Sequence, residues 1–320
     1  VSKNDKNIAP GDLFFAVRGT NFDAHTLLEK ICAAGVGGVV VEDVASVPAS
    51  YDGAVFVSED MRATIARAAS LFFGEPSKKL FCVGVTGTNG KTTVTHMIEH
   101  ILNDLGSKTA VMGTIDHHLD KRIWPSELTT PGALQLQSRL RDFVDSGAQS
   151  LAMEVSSHAL DQRRVEGVEF DVALFTNLTR DHLDYHKTMD AYFAAKQDFF
   201  SGYLKRSSKP NRVAIANVDD DYGRRIINDY SGQKISFGFS RADIVGKVRL
   251  RALSHSEVMV SYNEKEALLR LAIPFDYNIK NQLTMITDPA SQTIIYEYDS
   301  VGNRTKAQAK NAGGTVTRET

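Results

Sequence analysis

The fold of this chain is decided by residues 84–93, which read Gly84-Val85-Thr86-Gly87-Thr88-Asn89-Gly90-Lys91-Thr92-Thr93. This run follows a continuous apolar stretch, Phe81–Val85, and opens a segment with apolar residues at helical spacing, Thr93–Leu105. A glycine-rich loop between a buried strand and a helix is typical of a phosphate-binding loop, because the loop N–H groups and the helix N-terminus face the phosphates. The sequence therefore predicts a nucleoside triphosphate site.

Two side chains of this loop carry specific chemistry. Lys91 would reach the terminal phosphates, and Thr92 would place its hydroxyl on Mg²⁺. Five residues separate Gly84 from Gly90, one more than in the common form of the motif. The other candidates for ATP binding in the loop are Gly87, Thr88, Asn89, Gly90 and Thr93. A glycine-rich turn with an incidental lysine is the alternative interpretation, and the loop alone does not identify the reaction.

The remaining apolar runs indicate an α/β fold. Predicted strands at Phe14–Val17, Val39–Val41 and Ala54–Val57, with a helix over Ala24–Ala34, form a small N-terminal α/β domain. Later strands are predicted at Phe81–Val85, Leu151–Val155, Val172–Thr176 and Val213–Asn217. Because these later runs are continuous rather than alternating, we expect a mostly parallel sheet covered by helices on both faces. We predict domains at 1–77, 78–275 and 276–320.

The last predicted domain is a short β-rich tail. Its residues Tyr277–Thr284 recur weakly as Tyr298–Thr305, with an alternating strand pattern, Ile294–Tyr298, between the copies. This pattern resembles the YD repeats of RHS-type shell proteins, which are β-hairpin units. An irregular β-rich tail is the alternative.

The composition excludes several classes of function. The chain is 42% hydrophobic and 24% charged, with a formal net charge of -2, so nothing attracts it generally to nucleic acid or to anionic membranes. No apolar run approaches the roughly 18 residues of a membrane span. Cys32 and Cys82 lie in apolar segments, which favours buried free thiols. We expect a cytoplasmic monomer, and the start at Val1 suggests that an N-terminal piece is missing.

The loop is followed by further motifs that resemble the Mur ligase family. In chain order they are Thr129-Thr130-Pro131, Met153–Leu160, Phe175–His186, Ala191–Lys196 and Asn217–Asp220. In this order they resemble the branch that adds the third amino acid to UDP-N-acetylmuramoyl-dipeptide. The resemblance covers roughly Pro10 to Asn281.

This resemblance implies an ATP-dependent ligase that uses Mg²⁺ and forms an acyl phosphate. The implied substrates are UDP-N-acetylmuramoyl-L-alanyl-D-glutamate and a diamino acid, meso-diaminopimelate or L-lysine. The implied catalytic residues are Lys91, Glu154, His182 and Lys196, and the implied metal ligands are Thr92, Glu154, His182 and carbamylated Lys196. Contacts with the UDP-muramoyl-dipeptide are implied for Thr20, Asn21, Phe22, Thr129, Thr130, Ser156, Gln162 and Arg164.

Glu154 and His182 are also expected at the C-terminal ends of strands, where open α/β sheets bind ligands. Without the resemblance, Glu154 would be read as a solvated carboxylate and His182 as a structural histidine. Lys196 would be read as a lysine on a helix surface.

The sequence departs from the family pattern at both ends. Asn4, Asp5 and Lys6 stand where the family has Asp-Ser-Arg, and the Asp-Asn-Pro-Arg signature is not found. We therefore expect a truncated or chimeric ligase with little activity by itself. The alternatives are an inactive ATP-binding remnant fused to a repeat tail, and a ligase of the folylpolyglutamate branch.

Overall fold

The computed structural model describes residues 8–19, 22–251 and 255–271, and the backbone of five later strands. The chain forms two compact units. The first consists of Val1–Leu174 and Ala194–Arg212, and the second of Phe175–Phe193 and Val213–Thr320. The predicted α/β class is confirmed. Among the described residues, no helix combines the length and the apolar character that crossing a membrane requires.

The first unit begins with a small parallel sheet. Its strands are β1 (Leu13–Phe15), β2 (Gly38–Val41) and β3 (Ala54–Val57), in that order. The helices beside it are α1 (Leu28–Ala33) and α2 (Met61–Phe72), with 3-10 turns at Ala24–Leu27, Val44–Ser46 and Pro76–Lys79. Phe14, Ile31 and Val39 are buried in its core. The helix predicted over Ala24–Ala34 is therefore divided into a 3-10 turn and a short α-helix.

A second sheet of the first unit carries the glycine-rich loop. Its strands are β4 (Phe81–Thr86), β5 (Thr109–Met112), β6 (His117–Leu119), β7 (Arg122–Trp124), β8 (Ser150–Glu154) and β9 (Val172–Phe175). They lie in the order β9-β4-β8-β5-β6-β7. Strands β4 and β5 both run parallel to β8, whereas β6 and β7 add an antiparallel hairpin. Val85 pairs with Glu154, so the C-terminal ends of β4 and β8 lie side by side.

The helices of this unit are α3 (Lys91–Asp104), α4 (Ala133–Asp145) and α5 (Ser157–Asp161), followed by a π-helical turn, Phe199–Leu204. Gly90, with a φ of 85°, precedes α3 as its N-cap. Gly84 lies inside β4, where an added Cβ would lie 2.5 Å from Phe199 and 2.8 Å from Phe170. The first glycine of the motif therefore makes room for two aromatic rings of the core.

The two cysteines differ in their surroundings. Both are free thiols, but only Cys82 is fully buried, and Cys32 is partly exposed. Burial raises the pKa of both thiols. The expectation of buried free thiols is thus confirmed for Cys82, while for Cys32 only the free thiol is confirmed.

The described part of the second unit contains five strands besides those of the tail. These are β10 (Val213–Asn217), β11 (Gln233–Gly238), β12 (Ile244–Arg251), β13 (Ser256–Tyr262) and β14 (Lys265–Leu271). Strands β10, β11 and β12 are parallel neighbours, and β12, β13 and β14 form an antiparallel meander. Its helices are α6 (Leu183–His186), the start of α7 (Met189–Asp198) and α8 (Asp221–Asp229).

The N-terminus of α8 is held by Asp220. This carboxylate accepts hydrogen bonds from the backbone N–H groups of Tyr222 at 2.8 Å and Leu178 at 2.8 Å. Burial raises the pKa of Asp220, and the backbone hydrogen bonds oppose that rise.

The tail has the β-rich backbone that the sequence predicts. Its strands are β15 (Asp276–Tyr277), β16 (Leu283–Thr287), β17 (Thr293–Tyr298), β18 (Arg304–Lys310) and β19 (Val316–Glu319). Each pairs antiparallel with the next. The side chains of the proposed repeat lie outside the described residues, so the resemblance to RHS-type repeats stays a prediction.

Candidate functional site

Two lysines meet at the glycine-rich loop. The Nζ atom of Lys91 donates to the carbonyl oxygens of Gly87 at 3.0 Å and Thr88 at 2.9 Å. The Nζ atom of Lys196, whose residue is only 1% exposed, donates to the same Gly87 oxygen at 2.9 Å. Two amines that share one acceptor lie close together, and an anion beside them would offset their mutual repulsion.

Glu154 is the buried carboxylate of this region. It is 1% exposed and is the last residue of β8. Its Oε1 atom accepts hydrogen bonds from the Thr92 hydroxyl and from the Thr114 N–H, both at 2.9 Å. The Thr114 hydroxyl donates to Oε2 at 3.1 Å, so the Thr129 hydroxyl, 3.0 Å away, is left to donate to Thr114. The carboxylate is thus fixed between the loop helix and the end of β5.

Gly113 leaves the space that Glu154 occupies. An added Cβ at Gly113 would lie 2.4 Å from Oε1 of Glu154 and 3.1 Å from its Cδ. No side chain can occupy this position without moving the carboxylate. A residue 41 positions away in the sequence therefore makes the geometry of Glu154 possible.

The donors around Glu154 suit a hard divalent cation. Thr92 and Glu154 contribute oxygen atoms that already lie 2.9 Å apart, beside the loop expected to bind phosphates. Mg²⁺ prefers oxygen ligands and is commonly held by one or two carboxylates together with substrate phosphates. The residues present in this part of the first unit therefore fit that ion.

The residues assigned to the UDP-muramoyl-dipeptide form one hydrogen-bonded network. The Thr130 hydroxyl donates to the Glu154 carbonyl oxygen at 2.8 Å and accepts from the Ser156 N–H at 3.1 Å. Arg164 donates to the Thr130 carbonyl oxygen at 2.9 Å and, through Nε and Nη2, to Oε1 of Gln162. Thr129 joins the network through Thr114. The structure thus brings five of the eight predicted residues together beside Glu154.

The other three predicted residues do not belong to this network as the structure describes it. Thr20 and Asn21 are outside the described residues, and Phe22 is exposed.

His182 does not lie at the end of a strand, contrary to our prediction. Strand β9 ends at Phe175, and His182 is the N-cap of α6, with a φ of 52°. The motif predicted His182 as a site residue but did not predict its place in the fold, because residues 176–181 separate His182 from the end of strand β9. His182 belongs to the second unit, where its ring lies edge-on to Tyr192 at 5.9 Å between centroids.

Sequence reasoning missed Gly113 and Thr114. Both directly follow β5, the strand beside β8, at the sheet edge where ligands bind in α/β folds. The run Thr109–Met112 is too short to indicate a strand from sequence alone, so the sequence did not place Gly113 and Thr114 at the sheet edge. Recognition of this strand would have brought both residues into the candidate site.

Comparison with known proteins identifies the family. The family profile for the Mur ligase middle domain matches residues 85–287. The chain belongs to the Mur ligase family. The matched region contains the phosphate loop from Val85 onward, the end of β8 and the position of Lys196. It also reaches the first strands of the tail, and the comparisons give no support to the RHS resemblance there.

Relatives of this Mur ligase chain carry a more specific name. The UDP-N-acetylmuramoyl-L-alanyl-D-glutamate–2,6-diaminopimelate ligase of Geobacter metallireducens is 44% identical over 244 residues, which cover 76% of this chain and 47% of the relative. The ligase of the same name from Clostridium tetani is 34% identical over 288 residues, 89% of this chain and 58% of the relative. This chain thus spans about half the length of the curated relatives it matches.

A solved structure of a UDP-N-acetylmuramoyl-L-alanyl-D-glutamate–2,6-diaminopimelate ligase has a similar fold. It aligns with a TM-score of 0.71 at 26% identity and covers 84% of this chain and 54% of the other.

Proposed function

We propose that this chain is the ATP-binding part of a ligase that joins a diamino acid to UDP-N-acetylmuramoyl-L-alanyl-D-glutamate. The diamino acid is meso-diaminopimelate or L-lysine, and the names of the relatives favour the former. The observation that carries the proposal is Glu154, fixed by Thr92 of the phosphate loop on one side and by Thr114 on the other. A phosphate loop and a carboxylate joined in this way suit phosphoryl transfer.

The reaction requires an activated carboxylate. In the proposed first step the γ-phosphoryl group of ATP passes to the carboxylate of the D-glutamyl residue, which gives an acyl phosphate and ADP. The amine of the diamino acid then displaces phosphate and forms the amide bond. Mg²⁺, when bound, would neutralise phosphate charge during the transfer. Lys91 would hold the phosphates, while Thr92, Glu154, His182 and carbamylated Lys196 would hold metal.

The surroundings of Lys196 support its carbamylation. Its amine and that of Lys91 both donate to the Gly87 oxygen, which places two basic groups in a confined space. Addition of CO₂ to a neutral Lys196 amine would replace one of them by an anionic carbamate, a suitable oxygen ligand. Native intact-mass analysis should detect a gain of one CO₂ that Lys196→Gln abolishes. A fully active but unmodified protein would contradict this role.

The substrate residues form the second part of the proposal. Thr129, Thr130, Ser156, Gln162 and Arg164 would bind the muramoyl-dipeptide, and the Arg164 guanidinium would pair with one of its carboxylates. Thr20, Asn21 and Phe22 would contact the nucleotide. The division into a UDP-muramoyl-binding domain (1–77), an ATP-binding domain (78–275) and a tail (276–320) belongs to this proposal.

Calorimetric titration of the 320-residue chain tests these assignments separately. We expect both ATP, in Mg²⁺ buffer, and UDP-N-acetylmuramoyl-L-alanyl-D-glutamate to bind. Glu154→Gln should weaken ATP binding by about tenfold or more, because a metal ligand is lost. Arg164→Ala should weaken binding of the UDP precursor by a similar factor and leave ATP affinity unchanged. The exposed Arg249→Ala serves as the control.

Other outcomes would redirect the assignment. Binding of ATP together with a reduced folate, but not the UDP precursor, would move the chain to the folylpolyglutamate branch. Binding of both expected ligands without ADP release in the presence of diaminopimelate or lysine would favour the inactive remnant. Failure to bind either ligand would contradict the proposal.

A further inference from the structure

A cluster of nitrogen and oxygen atoms lies one helical turn beyond the phosphate loop. His96 and Glu99 project from α3 at a spacing of three residues, and His118 projects from β6 of the hairpin. One potential ligand atom from each of the three lies within 4.8 Å of the other two. The cluster is half-buried, since the side chains of His118 and Glu99 are 13% and 17% exposed. The proposed function leaves these residues without a role.

The two histidines differ in their hydrogen-bond partners. Nδ1 of His96 lies 2.9 Å from the Thr92 carbonyl oxygen, and Nδ1 of His118 lies 2.6 Å from Oδ1 of Asp116. A carbonyl oxygen only accepts, so Nδ1 of His96 carries the hydrogen. In a neutral imidazole the lone pair then lies on Nε2. Both ring nitrogens of His118 face carboxylate oxygens, so each carries a hydrogen unless a metal ion replaces one of them. Nε2 is therefore the available ligand atom of His96, and it would become that of His118 when a metal ion displaces the proton between His118 and Glu99.

The contact between His118 and Glu99 requires a cation. Nε2 of His118 lies 2.9 Å from Oε1 of Glu99. With the hydrogen of His118 on Nδ1, two lone pairs would face each other at this distance unless a proton or a metal ion lies between them. The cluster therefore attracts positive charge.

We propose that His96, Glu99 and His118 form a zinc-class divalent metal site, separate from the magnesium ligands. Two imidazoles and one carboxylate, with water as the fourth ligand, are a common donor set for Zn²⁺. Asp116 would orient His118 through Nδ1, as carboxylates do behind metal-bound histidines. The ion would connect α3, which begins at the phosphate loop, to the hairpin β6–β7.

The geometry is within reach of tetrahedral coordination. Bonds of about 2.0–2.2 Å place the ligand atoms about 3.3 Å apart in a tetrahedron. The His118–Glu99 pair would open slightly from 2.9 Å, and the widest pair, at most 4.8 Å apart, would close by roughly 1.5 Å through side-chain rotation. The neighbouring His117 is buried, and burial, followed by the charge of Arg139, lowers its pKa to about 4. It points to the opposite face of β6 and is not a ligand.

The test is metal titration of the untagged full chain after removal of metal with a chelator. We expect one Zn²⁺ per chain by calorimetry, and a Co²⁺ absorption spectrum typical of four-coordination. Glu99→Gln and His118→Gln should each weaken Zn²⁺ binding at least about tenfold, because a direct ligand is lost. His100→Gln on the same helix, 80% exposed, is the matched control, and Glu154→Gln should leave Zn²⁺ affinity unchanged.

Thermal unfolding keeps the test decisive if a variant is destabilised. Zn²⁺ should raise the unfolding temperature of the original chain and of His100→Gln, but not that of Glu99→Gln. Equal Zn²⁺ affinity in the original chain and both ligand variants would overturn the site. So would the absence of Zn²⁺ binding, which would identify His118 as an imidazolium held by two carboxylates. None of these readouts depends on ATP or ligase activity.

Discussion

Two clusters of opposite chemistry meet at Thr92, in the first turn of α3. The Thr92 hydroxyl donates to Glu154, while its carbonyl oxygen accepts from His96, each at 2.9 Å. On the first side the hydrogen bonds described for the carboxylate come from two hydroxyl groups and one backbone N–H. On the second side one nitrogen atom from each of two imidazoles lies within 4.8 Å of a Glu99 carboxylate oxygen. From the type of donor atom, rather than from distance along the helix, we propose magnesium and phosphate for the first cluster and zinc for the second.

Removal of Lys91 should have the largest effect, and this effect should be confined to ATP binding. Lys91→Ala removes the cation that we expect on the terminal phosphates. Loss of charge-assisted hydrogen bonds worth about 2.7 kcal/mol corresponds to about 100-fold weaker ATP binding. Calorimetry in Mg²⁺ buffer measures this, with the exposed Lys79→Ala as the control. Zn²⁺ affinity should not change, and a loss of ATP affinity below threefold would contradict the role of Lys91.

Gly113→Ala tests whether space is what positions Glu154. The new Cβ would lie 2.4 Å from Oε1, so the carboxylate must shift. We expect a cost of about 2 kcal/mol, measured as a lower thermal unfolding temperature, because overpacked interiors lose about 1–3 kcal/mol. Gly132→Ala is the control, since its φ is -64° and an added Cβ there meets no atom within 4 Å. Equal unfolding temperatures for the two variants would refute the packing argument.

Lys91 lies in a loop that the sequence predicts, whereas Gly113 follows a strand that it does not predict. The loop itself was predictable from local sequence, because glycine spacing and apolar periodicity place β4 and α3 within two residues of their observed bounds. The strands Ala54–Val57 and Val213–Asn217 also have their predicted bounds. In each case a short window of sequence contains the signal.

The residues that surround the carboxylates of Glu154 and Glu99 could not be predicted from a short window of sequence. Thr114 contacts Glu154 across 40 residues, and Glu99 contacts His118 across 19. Strands β5, β6 and β7 have only three or four residues each, and β6 consists of His117, His118 and Leu119. Such short runs give no clear period, so the sequence did not indicate which polar residues the hairpin places beside α3. The spacing of His96 and Glu99 was a signal, but its third ligand depends on tertiary packing.

Asp116→Asn should weaken Zn²⁺ binding without affecting ATP binding. Asparagine keeps the size and one carbonyl oxygen that can accept from Nδ1 of His118, but it removes the negative charge. We expect about tenfold weaker Zn²⁺ binding, as for other carboxylates behind metal-bound histidines, with ATP affinity unchanged. Asp120→Asn, also in the hairpin but paired with Lys108, is the control. If both variants bind Zn²⁺ like the original chain, Asp116 does not orient the ligand.

Thr114→Val should give the smallest change in stability. It tests whether the hydroxyl hydrogen bond of Thr114 or packing alone holds Glu154 in place. Valine has the shape of threonine but lacks the hydroxyl that donates to Oε2, whereas the backbone N–H bond to Oε1 remains. One part-buried hydrogen bond is worth about 1 kcal/mol, so the unfolding temperature should fall less than in Gly113→Ala. Thr114→Ser keeps the hydroxyl and should restore the original value. If serine fails to restore it, the methyl group matters rather than the hydrogen bond, and the oxygen cluster would be held by packing alone. Zn²⁺ affinity should be equal in all three proteins, because the Thr92 carbonyl and His96 lie on the other side of the shared residue.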